Sequence, residues 1–136
     1  MKILIIGGTG KIGQKIISNI NLKEHEVFSI SQKKTIKDKK IKSYRFDYYK
    51  NFVKVKKLIT KYKFDVVINL ICFNINQVKR DYNLYKNSVS KYLFISSTSV
   101  YKNTQNVILE NSKTEITKNP YIVGKLKAEK FLKNNT

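Results

Sequence analysis

A cluster of glycines near the start of the chain limits its fold more than any other feature. Four of the five glycines fall between positions 7 and 13, where they satisfy both the Gly-x-Gly-x-x-Gly and the Gly-x-x-Gly-x-x-Gly spacing. They follow the apolar run 2–6, which is typical of a strand buried on both faces, and from Lys11 a helical pattern begins whose predicted apolar face is Ile12, Ile16, Ile17 and Ile20. Glycine lets the backbone turn tightly and approach a pyrophosphate that the helix N-terminus attracts. The spacing predicts a dinucleotide-binding loop. The alternative is a glycine turn that serves packing alone. The predicted cofactor-binding residues of the loop are Gly7, Gly8, Thr9, Gly10, Lys11, Ile12 and Gly13.

Apolar patterns along the rest of the chain alternate between strand and helix. Short β-branched or aromatic runs predict strands, and apolar residues at helical spacing predict the helices between them. This alternation predicts an α/β fold with a doubly wound parallel sheet of five or more strands, the Rossmann fold, because right-handed crossovers place helices on both faces. The predicted strands are 2–6, 27–30, 43–46, 64–72 and 92–95, with 64–72 the most central, and the predicted helices begin near positions 11, 52, 75 and 120.

The length of 136 residues fits a single nucleotide-binding domain over 1–136, without room for a separate substrate domain. The stretches 33–42 and 102–118 lack periodicity and are predicted loops. The lone Cys72 excludes an internal disulfide and a Cys-rich metal site, so we expect a buried cysteine and no metal. No apolar run approaches the roughly 18 residues of a membrane helix, and we expect a cytoplasmic protein without membrane contact.

The formal net charge of +19 favours negatively charged partners. Among the 28 basic residues only Arg45 and Arg80 are arginines, although a guanidinium is the group best suited to phosphate and base recognition. Lysine, isoleucine and asparagine share A/T-rich codons, so much of the lysine content is compositional. The charge therefore leaves non-specific nucleic-acid binding open and predicts no specific recognition.

The segment after the second predicted strand bears on the choice of cofactor. A carboxylate there normally accepts hydrogen bonds from the ribose 2′-OH of NAD, but residues 29–34 contain neither Asp nor Glu. Lys33 and Lys34 are suited to the 2′-phosphate of NADP, so the sequence favours NADP, with NAD as the second choice. The alternative is that both are loop lysines in a lysine-rich chain.

Four stretches occur in the order that is typical of one family. They are 5–13, 46–47, 65–70, and 94–101 followed by 120–125. In these stretches the chain resembles the extended short-chain dehydrogenase/reductase family, the NAD(P)-dependent epimerases and dehydratases, and most nearly a subgroup similar to chloroplast stem-loop-binding proteins. The resemblance implies that Asp47 contacts the adenine ring, that Ser97 is the catalytic hydroxyl, and that Tyr121 and Lys125 are the Tyr-x-x-x-Lys pair.

The Tyr-x-x-x-Lys spacing occurs twice, so its context must identify the functional pair. Tyr82 and Lys86 precede the fifth predicted strand, whereas Tyr121 and Lys125 follow it at the start of a helix. Four residues on a helix put both side chains of the second pair on one face, where the ammonium favours the phenolate form of the tyrosine. The alternative is an amphipathic helix with Tyr121 packed on the sheet.

The resemblance implies hydride transfer, with Ser97 polarising the substrate oxygen and Tyr121 exchanging a proton. The expected substrate is a small molecule such as a sugar nucleotide. Extended members of the family continue beyond the catalytic helix, so we expect a truncated or incomplete enzyme, and a further copy that completes the site is left open. An RNA-binding protein on the same fold is the alternative function.

Overall fold

The structure is a computed structural model that describes residues 1–102, 107–115 and 117–135. Strands alternate with helices in this part of the chain, as the apolar patterns predict. In chain order the elements are β1 (Lys2–Ile6), α1 (Lys11–Ser18), β2 (Glu26–Ser31), β3 (Ile41–Arg45), α2 (Phe52–Tyr62), β4 (Val66–Asn69), α3 (Ile75–Tyr85), β5 (Lys91–Phe94), a short 3-10 helix (Thr98–Val100) and α4 (Pro120–Lys133).

The strands form one parallel sheet in the order β3-β2-β1-β4-β5. β1 pairs with β2 on one side and with β4 on the other, so that Ile6 lies opposite both Ile30 and Asn69. The chain winds outwards in both directions from β1, which confirms the predicted doubly wound Rossmann sheet. Ligands of such sheets bind at the carboxyl ends of the strands where the winding direction changes, here between β1 and β4.

The most central strand is β1, and the prediction that 64–72 has this position is wrong. β4 ends at Asn69, which is fully buried, and the Oδ1 of this residue accepts a hydrogen bond from the N–H of Ile71 at 2.9 Å. The side chain thereby turns the chain out of the sheet. Ile71 still packs against the core, so the apolar pattern continues beyond the end of the strand.

Each face of the sheet has its own apolar core, because successive strand residues point to opposite faces. Leu4 lies in the cluster that includes Val55 of α2, whereas Ile5 lies in the cluster that includes Ile17 of α1. The two helices therefore cover opposite faces of the sheet, as right-handed crossovers require. Burial of these aliphatic side chains supplies the main stabilisation of the sheet.

Two compact units divide the chain. The first comprises Met1–Ile71 and Asn83–Ile95 and contains the whole sheet, and the second comprises Cys72–Tyr82 and Ser96–Thr136 and contains α4. The expectation of a single domain over 1–136 stays a prediction. In the second unit the Oδ1 of Asn119 accepts a hydrogen bond from the N–H of Tyr121 at 2.9 Å, and Pro120 follows in the first turn, so α4 begins at the predicted cap.

The predicted loops differ from the structure in one place. Lys42 belongs to β3, where its Nζ forms an ion pair with the Oε2 of Glu26 at 2.7 Å and lies 4.8 Å from the ring centre of Phe28. In the predicted loop 102–118, residues 103–106 and 116 lie outside the described residues. Cys72 is fully buried, as expected. None of the helices in the described ranges is long and apolar enough to cross a membrane.

Candidate functional site

The predicted phosphate loop lies at the carboxyl end of β1 and leads directly into α1. The N–H of Gly7 donates to the carbonyl oxygen of Ile30 at 2.8 Å, and the N–H of Gly10 donates to that of Gly7 at 3.0 Å, which closes the turn. The N–H of Thr9 donates to the Oγ of Ser31 at 3.2 Å. Gly10 is the N-cap and has no side chain that could accept from the first-turn amides, which lack an acceptor within the helix. These amides and the positive end of the helix dipole suit a phosphate.

A close backbone contact explains the glycine at position 13, inside α1. A Cβ there would lie 2.6 Å from the Cα of Gly8 and 2.7 Å from the carbonyl oxygen of Gly7. The first turn of the helix therefore packs directly on the backbone of the loop. Gly10 differs, because the nearest atom to a Cβ at that position is the carbonyl oxygen of Gly7 at 3.3 Å.

The loop also contains two exposed side chains, Lys11 and Ile12. Ile12 is 61% exposed, so the prediction that it lies on the apolar face of α1 is wrong, and Ile17 is the buried residue of that face. The first turn of a helix extends beyond the sheet that the later turns cover, which explains why the periodicity begins too early. Contacts of Lys11 and Ile12 with a cofactor stay predictions.

A cleft of about 580 Å³ adjoins the phosphate loop in the first unit. Thr9 and Gln14 lie on one wall, where the Nε2 of Gln14 donates to the carbonyl oxygen of Thr9 at 2.8 Å. Lys34 and Lys37 lie on the wall that the β2–β3 connection forms, whereas Lys33 is not part of the lining. The structure thus separates the two lysines that the sequence makes equivalent.

Asp47 lies just beyond β3, and both of its carboxylate oxygens accept hydrogen bonds. Oδ1 accepts from the N–H groups of Tyr49 and Lys50 at 2.9 and 3.0 Å, and Oδ2 accepts from the Nε2 of Gln32 at 3.2 Å. The carboxylate therefore stabilises the turn that precedes α2. Its contact with an adenine ring stays a prediction.

Ser97 is the N-cap of the short 3-10 helix, where its Oγ accepts a hydrogen bond from the N–H of Ser99 at 3.2 Å. This bond uses a lone pair of the hydroxyl, and the proton can still be donated to a substrate oxygen. The adjacent Ser96 donates its hydroxyl proton to the carboxylate of Glu129 on α4. This hydrogen bond joins α4 to the segment that carries Ser97 within the second unit.

Tyr121 and Lys125 lie one turn apart on α4 but differ in exposure. The Tyr121 side chain is 41% exposed, which disfavours the alternative that it is a core residue, whereas Lys125 is only 2% exposed. The Nζ of Lys125 donates to the backbone carbonyl of Cys72 at 2.7 Å and lies 5.7 Å from the ring centre of Tyr121. Burial lowers the pKa of Lys125, and the nearby Cys72 and Glu129 act in the opposite direction.

Tyr82 and Lys86, the other pair with this spacing, have a different environment. Tyr82 lies on the crossover helix α3, as predicted, and Lys86 follows the end of that helix. The Tyr82 ring packs edge-on against Phe131 of α4, with the ring centres 5.5 Å apart. We infer that Tyr82 is a packing residue of the second unit.

Two residues near Lys125 were not predicted from the sequence. Gly124 is buried, and a Cβ there would lie 2.3 Å from the carbonyl oxygen of Phe73, so α4 packs directly on the backbone that follows β4. The Phe73 ring is 44% exposed, and its centre lies 6.1 Å from that of Tyr121. Gly124 is the fifth glycine of the chain, and an isolated glycine in a helical pattern is a signal of close packing.

Comparison with known proteins identifies the family. The sequence profile of the NAD-dependent epimerase/dehydratase family matches residues 3–136. The chain belongs to this family. The predicted relationship to the epimerases and dehydratases is thereby confirmed, and the nearer likeness to stem-loop-binding proteins stays a prediction. No curated protein sequence matches this family member significantly.

Solved structures of low sequence identity share its fold. The UDP-Glc/GlcNAc 4-epimerase of Campylobacter jejuni is 24% identical with a TM-score of 0.77, and the alignment covers 98% of this chain and 48% of that chain. A UDP-glucuronic acid 4-epimerase of Bacillus cereus, in complex with UDP-glucuronic acid and NAD, is 22% identical with a TM-score of 0.75, and the alignment covers 98% of this chain and 52% of that chain. Pal from Bacillus thuringiensis is 23% identical with a TM-score of 0.81, and the alignment covers 97% of this chain and 50% of that chain. The chain spans about half the length of these structures.

The contact at Gly13 predicts a difference between two glycine substitutions in this family member. Gly13→Ala forces a methyl group into backbone atoms, so we expect it to lower the free energy of unfolding by about 2 kcal/mol or more. Gly10→Ala, the matched control, is expected to lower it by less than about 1 kcal/mol, because the N-cap has more space. Urea denaturation followed by circular dichroism measures both. Equal losses would contradict the packing argument.

The burial of Lys125 predicts a specific dependence of stability on pH. Its pKa in the folded state is below the ordinary 10.5, so the unfolded chain binds more protons in the interval between the two values. The free energy of unfolding of the wild type should therefore rise, relative to that of Lys125→Met, as pH increases through the folded-state pKa towards the ordinary 10.5, and then level off. Denaturation of both proteins across this range measures the difference. A difference that falls with rising pH would contradict the assignment.

Proposed function

We propose that this chain forms the NAD(P)-binding portion of an epimerase/dehydratase or reductase that acts by hydride transfer on a sugar nucleotide. The observation that carries the proposal is the buried Lys125, whose ammonium lies beside the exposed Tyr121 on a helix that follows the fifth strand. The Nζ of Lys125 donates to the backbone carbonyl of Cys72, which holds the ammonium on the Tyr121 side of α4 without using the phenol oxygen.

The phosphate loop fits a dinucleotide. The backbone of α1 packs on the loop at Gly13, and the N-cap residue Gly10 has no side chain that could cap the first-turn amides. A pyrophosphate needs this combination of bare backbone and helix N-terminus. When bound, a nicotinamide dinucleotide supplies a hydride acceptor and donor. In this proposal, backbone N–H groups of the predicted loop hold the phosphates, and Asp47 contacts the adenine.

The catalytic roles are assigned to three side chains of the second unit. Tyr121 takes the proton of the substrate hydroxyl as the carbon-bound hydrogen leaves as hydride, and it returns a proton in the reverse step. Lys125 stabilises the phenolate through its positive charge. Ser97 donates a hydrogen bond from its hydroxyl to the substrate oxygen and keeps its proton, and this role is compatible with the lone-pair contact to the N–H of Ser99.

Two features support the choice of partners. The C. jejuni and B. cereus proteins named above are UDP-sugar 4-epimerases, which supports a nucleotide-linked sugar as the substrate class. NADP is proposed over NAD because both Lys34 and Lys37 line the cleft that Thr9 also lines, against the single carboxylate of Asp38, and residues 29–34 contain no Asp or Glu. The B. cereus structure contains NAD, so NAD is the alternative.

Electrostatic binding of nucleic acid is a second candidate. A groove on the solvent face of α2 contains the exposed Phe52 ring with Lys56, Lys57 and Lys61 around it. An aromatic ring among ammonium groups suits stacking on a base beside phosphates. This arrangement supports binding without sequence preference.

A comparison of two tyrosines tests the proposed chemistry. We expect the chain, mixed with NAD or NADP and UDP-glucose or UDP-glucuronic acid, to produce reduced nicotinamide, which absorbance and fluorescence detect. Loss of the acid/base group in Tyr121→Phe should slow this step roughly 10²–10⁴-fold. Tyr82→Phe, the matched control, should leave it unchanged. An unaltered rate in Tyr121→Phe would refute the assigned role.

Neighbouring lysines provide the test of cofactor choice. Lys34→Ala should weaken NADP binding about tenfold or more, because a charge-assisted hydrogen bond contributes roughly 1.5–3 kcal/mol, and it should leave NAD binding nearly unchanged. Lys33→Ala has the same change of charge outside the cleft and serves as the control. Titration calorimetry measures the affinities of the wild type and of both variants for NADP and for NAD. Equal effects of the two substitutions would indicate that both are ordinary loop lysines.

A further inference from the structure

The ammonium of Lys125 has a backbone carbonyl and two aromatic rings near it, and the Glu129 carboxylate also acts on its charge. Its Nζ donates to the carbonyl of Cys72 at 2.7 Å, lies 5.3 Å from the ring centre of Phe73 and 5.7 Å from that of Tyr121. All four residues belong to the second unit. Both ring distances fall within the range of about 6 Å in which a cation is attracted to an aromatic face.

Phe73 is not explained by burial. Its ring is 44% exposed, although a large apolar side chain gains stability when it is removed from water. One aromatic neighbour is the similarly exposed Tyr121, with the ring centres 6.1 Å apart and the planes inclined by 46°. The ring therefore lies near Tyr121 and Lys125 and is only partly removed from water.

The backbone of Phe73 has a close contact on both sides. Its N–H donates to the Oε1 of Gln77 at 2.6 Å, and its carbonyl oxygen lies where a Cβ on Gly124 would be only 2.3 Å away. α4 thus packs on the same peptide that carries the ring. Because Gly124 directly precedes Lys125, this contact brings the backbone that carries the ring close to the backbone that carries the ammonium.

We propose that Phe73 is a positioning residue that holds the Lys125 ammonium beside Tyr121 through a cation–π contact. The carbonyl of Cys72 accepts one N–H of the ammonium, and the negative face of the Phe73 ring attracts the charge from another side. The catalytic consequence rests on the proposed function of Tyr121 and Lys125. The contact itself is a property of the chain without cofactor or substrate.

The contact counteracts the desolvation of Lys125. Burial lowers the pKa of this amine, and an aromatic face favours its charged form. Cys72 and the carboxylate of Glu129 also act on the amine through their charge, and both raise its pKa, while the Tyr121 ring lies 5.7 Å from it on the preceding turn. Substitutions at Phe73 leave these groups in place, so they isolate the contribution of the ring.

The test is an NMR titration of the Lys125 amine in the full chain, labelled with ¹³C-lysine and assigned by its loss in Lys125→Met. Phe73→Leu keeps an apolar side chain and removes the ring, so we expect the pKa of Lys125 to fall by about one unit. Phe73→Tyr keeps the ring and should retain the wild-type value. Phe131→Leu is the matched control, because that ring lies 5.8 Å from the Nζ of Lys79 instead.

Two results would overturn the proposal. One is an unchanged Lys125 titration in Phe73→Leu, and the other is an equal shift in Phe73→Tyr and Phe73→Leu. Circular dichroism checks that each variant is folded, and Phe73→Ile replaces the leucine variant if that one unfolds. The amine titrates without cofactor or substrate, so absence of hydride transfer would refute the proposed function and leave this result intact, whereas an unshifted amine would refute the role of Phe73 alone.

Discussion

The contact between the start of α1 and the phosphate loop is the constraint on which the first unit depends. A hydrogen in place of a side chain at position 13 lets the helix begin at Lys11, directly after the turn that closes β1. The same approach directs the helix N-terminus towards the carboxyl ends of the strands and brings Ile17 into the core that contains Ile5. Packing and phosphate binding therefore make the same demand on the sequence, and neither can be changed alone.

The sequence predicts those features that depend on neighbouring residues. The glycine spacing, the alternation of strand and helix, and the Asn119-Pro120 start of α4 each follow from interactions within a few residues, and each is present in the structure. The errors have a common cause. Hydrophobicity predicts a longer β4 and an Ile12 on the apolar face of α1. In the structure, Asn69 ends the strand with a side-chain hydrogen bond, and Ile12 in the first turn of α1 is exposed.

The sequence could not predict contacts between distant segments. Lys33 and Lys34 are adjacent and chemically identical, and only the path of the β2–β3 connection determines which of them lines the cleft. The contact of α4 with the peptide of Phe73 joins residues about fifty positions apart, and nothing in the local pattern of Phe73 marks it as a neighbour of Lys125. The isolated glycine at 124 is the one local signal, and it indicates close packing without naming the partner.

Two lysines of this chain show how unusual the environment of Lys125 is. Lys42 has a side chain that is 48% exposed and forms an ion pair with Glu26, an arrangement that contributes roughly 0.2–1 kcal/mol at a protein surface. Lys125 is almost fully buried, its ammonium donates to the backbone carbonyl of Cys72, and burial lowers its pKa although Glu129 acts in the opposite direction. A methionine at this position would avoid the desolvation of a charge, so stability alone does not explain a lysine. Perturbed titratable groups are concentrated at functional sites, and an ammonium beside an exposed tyrosine has a chemical use that an apolar side chain cannot supply.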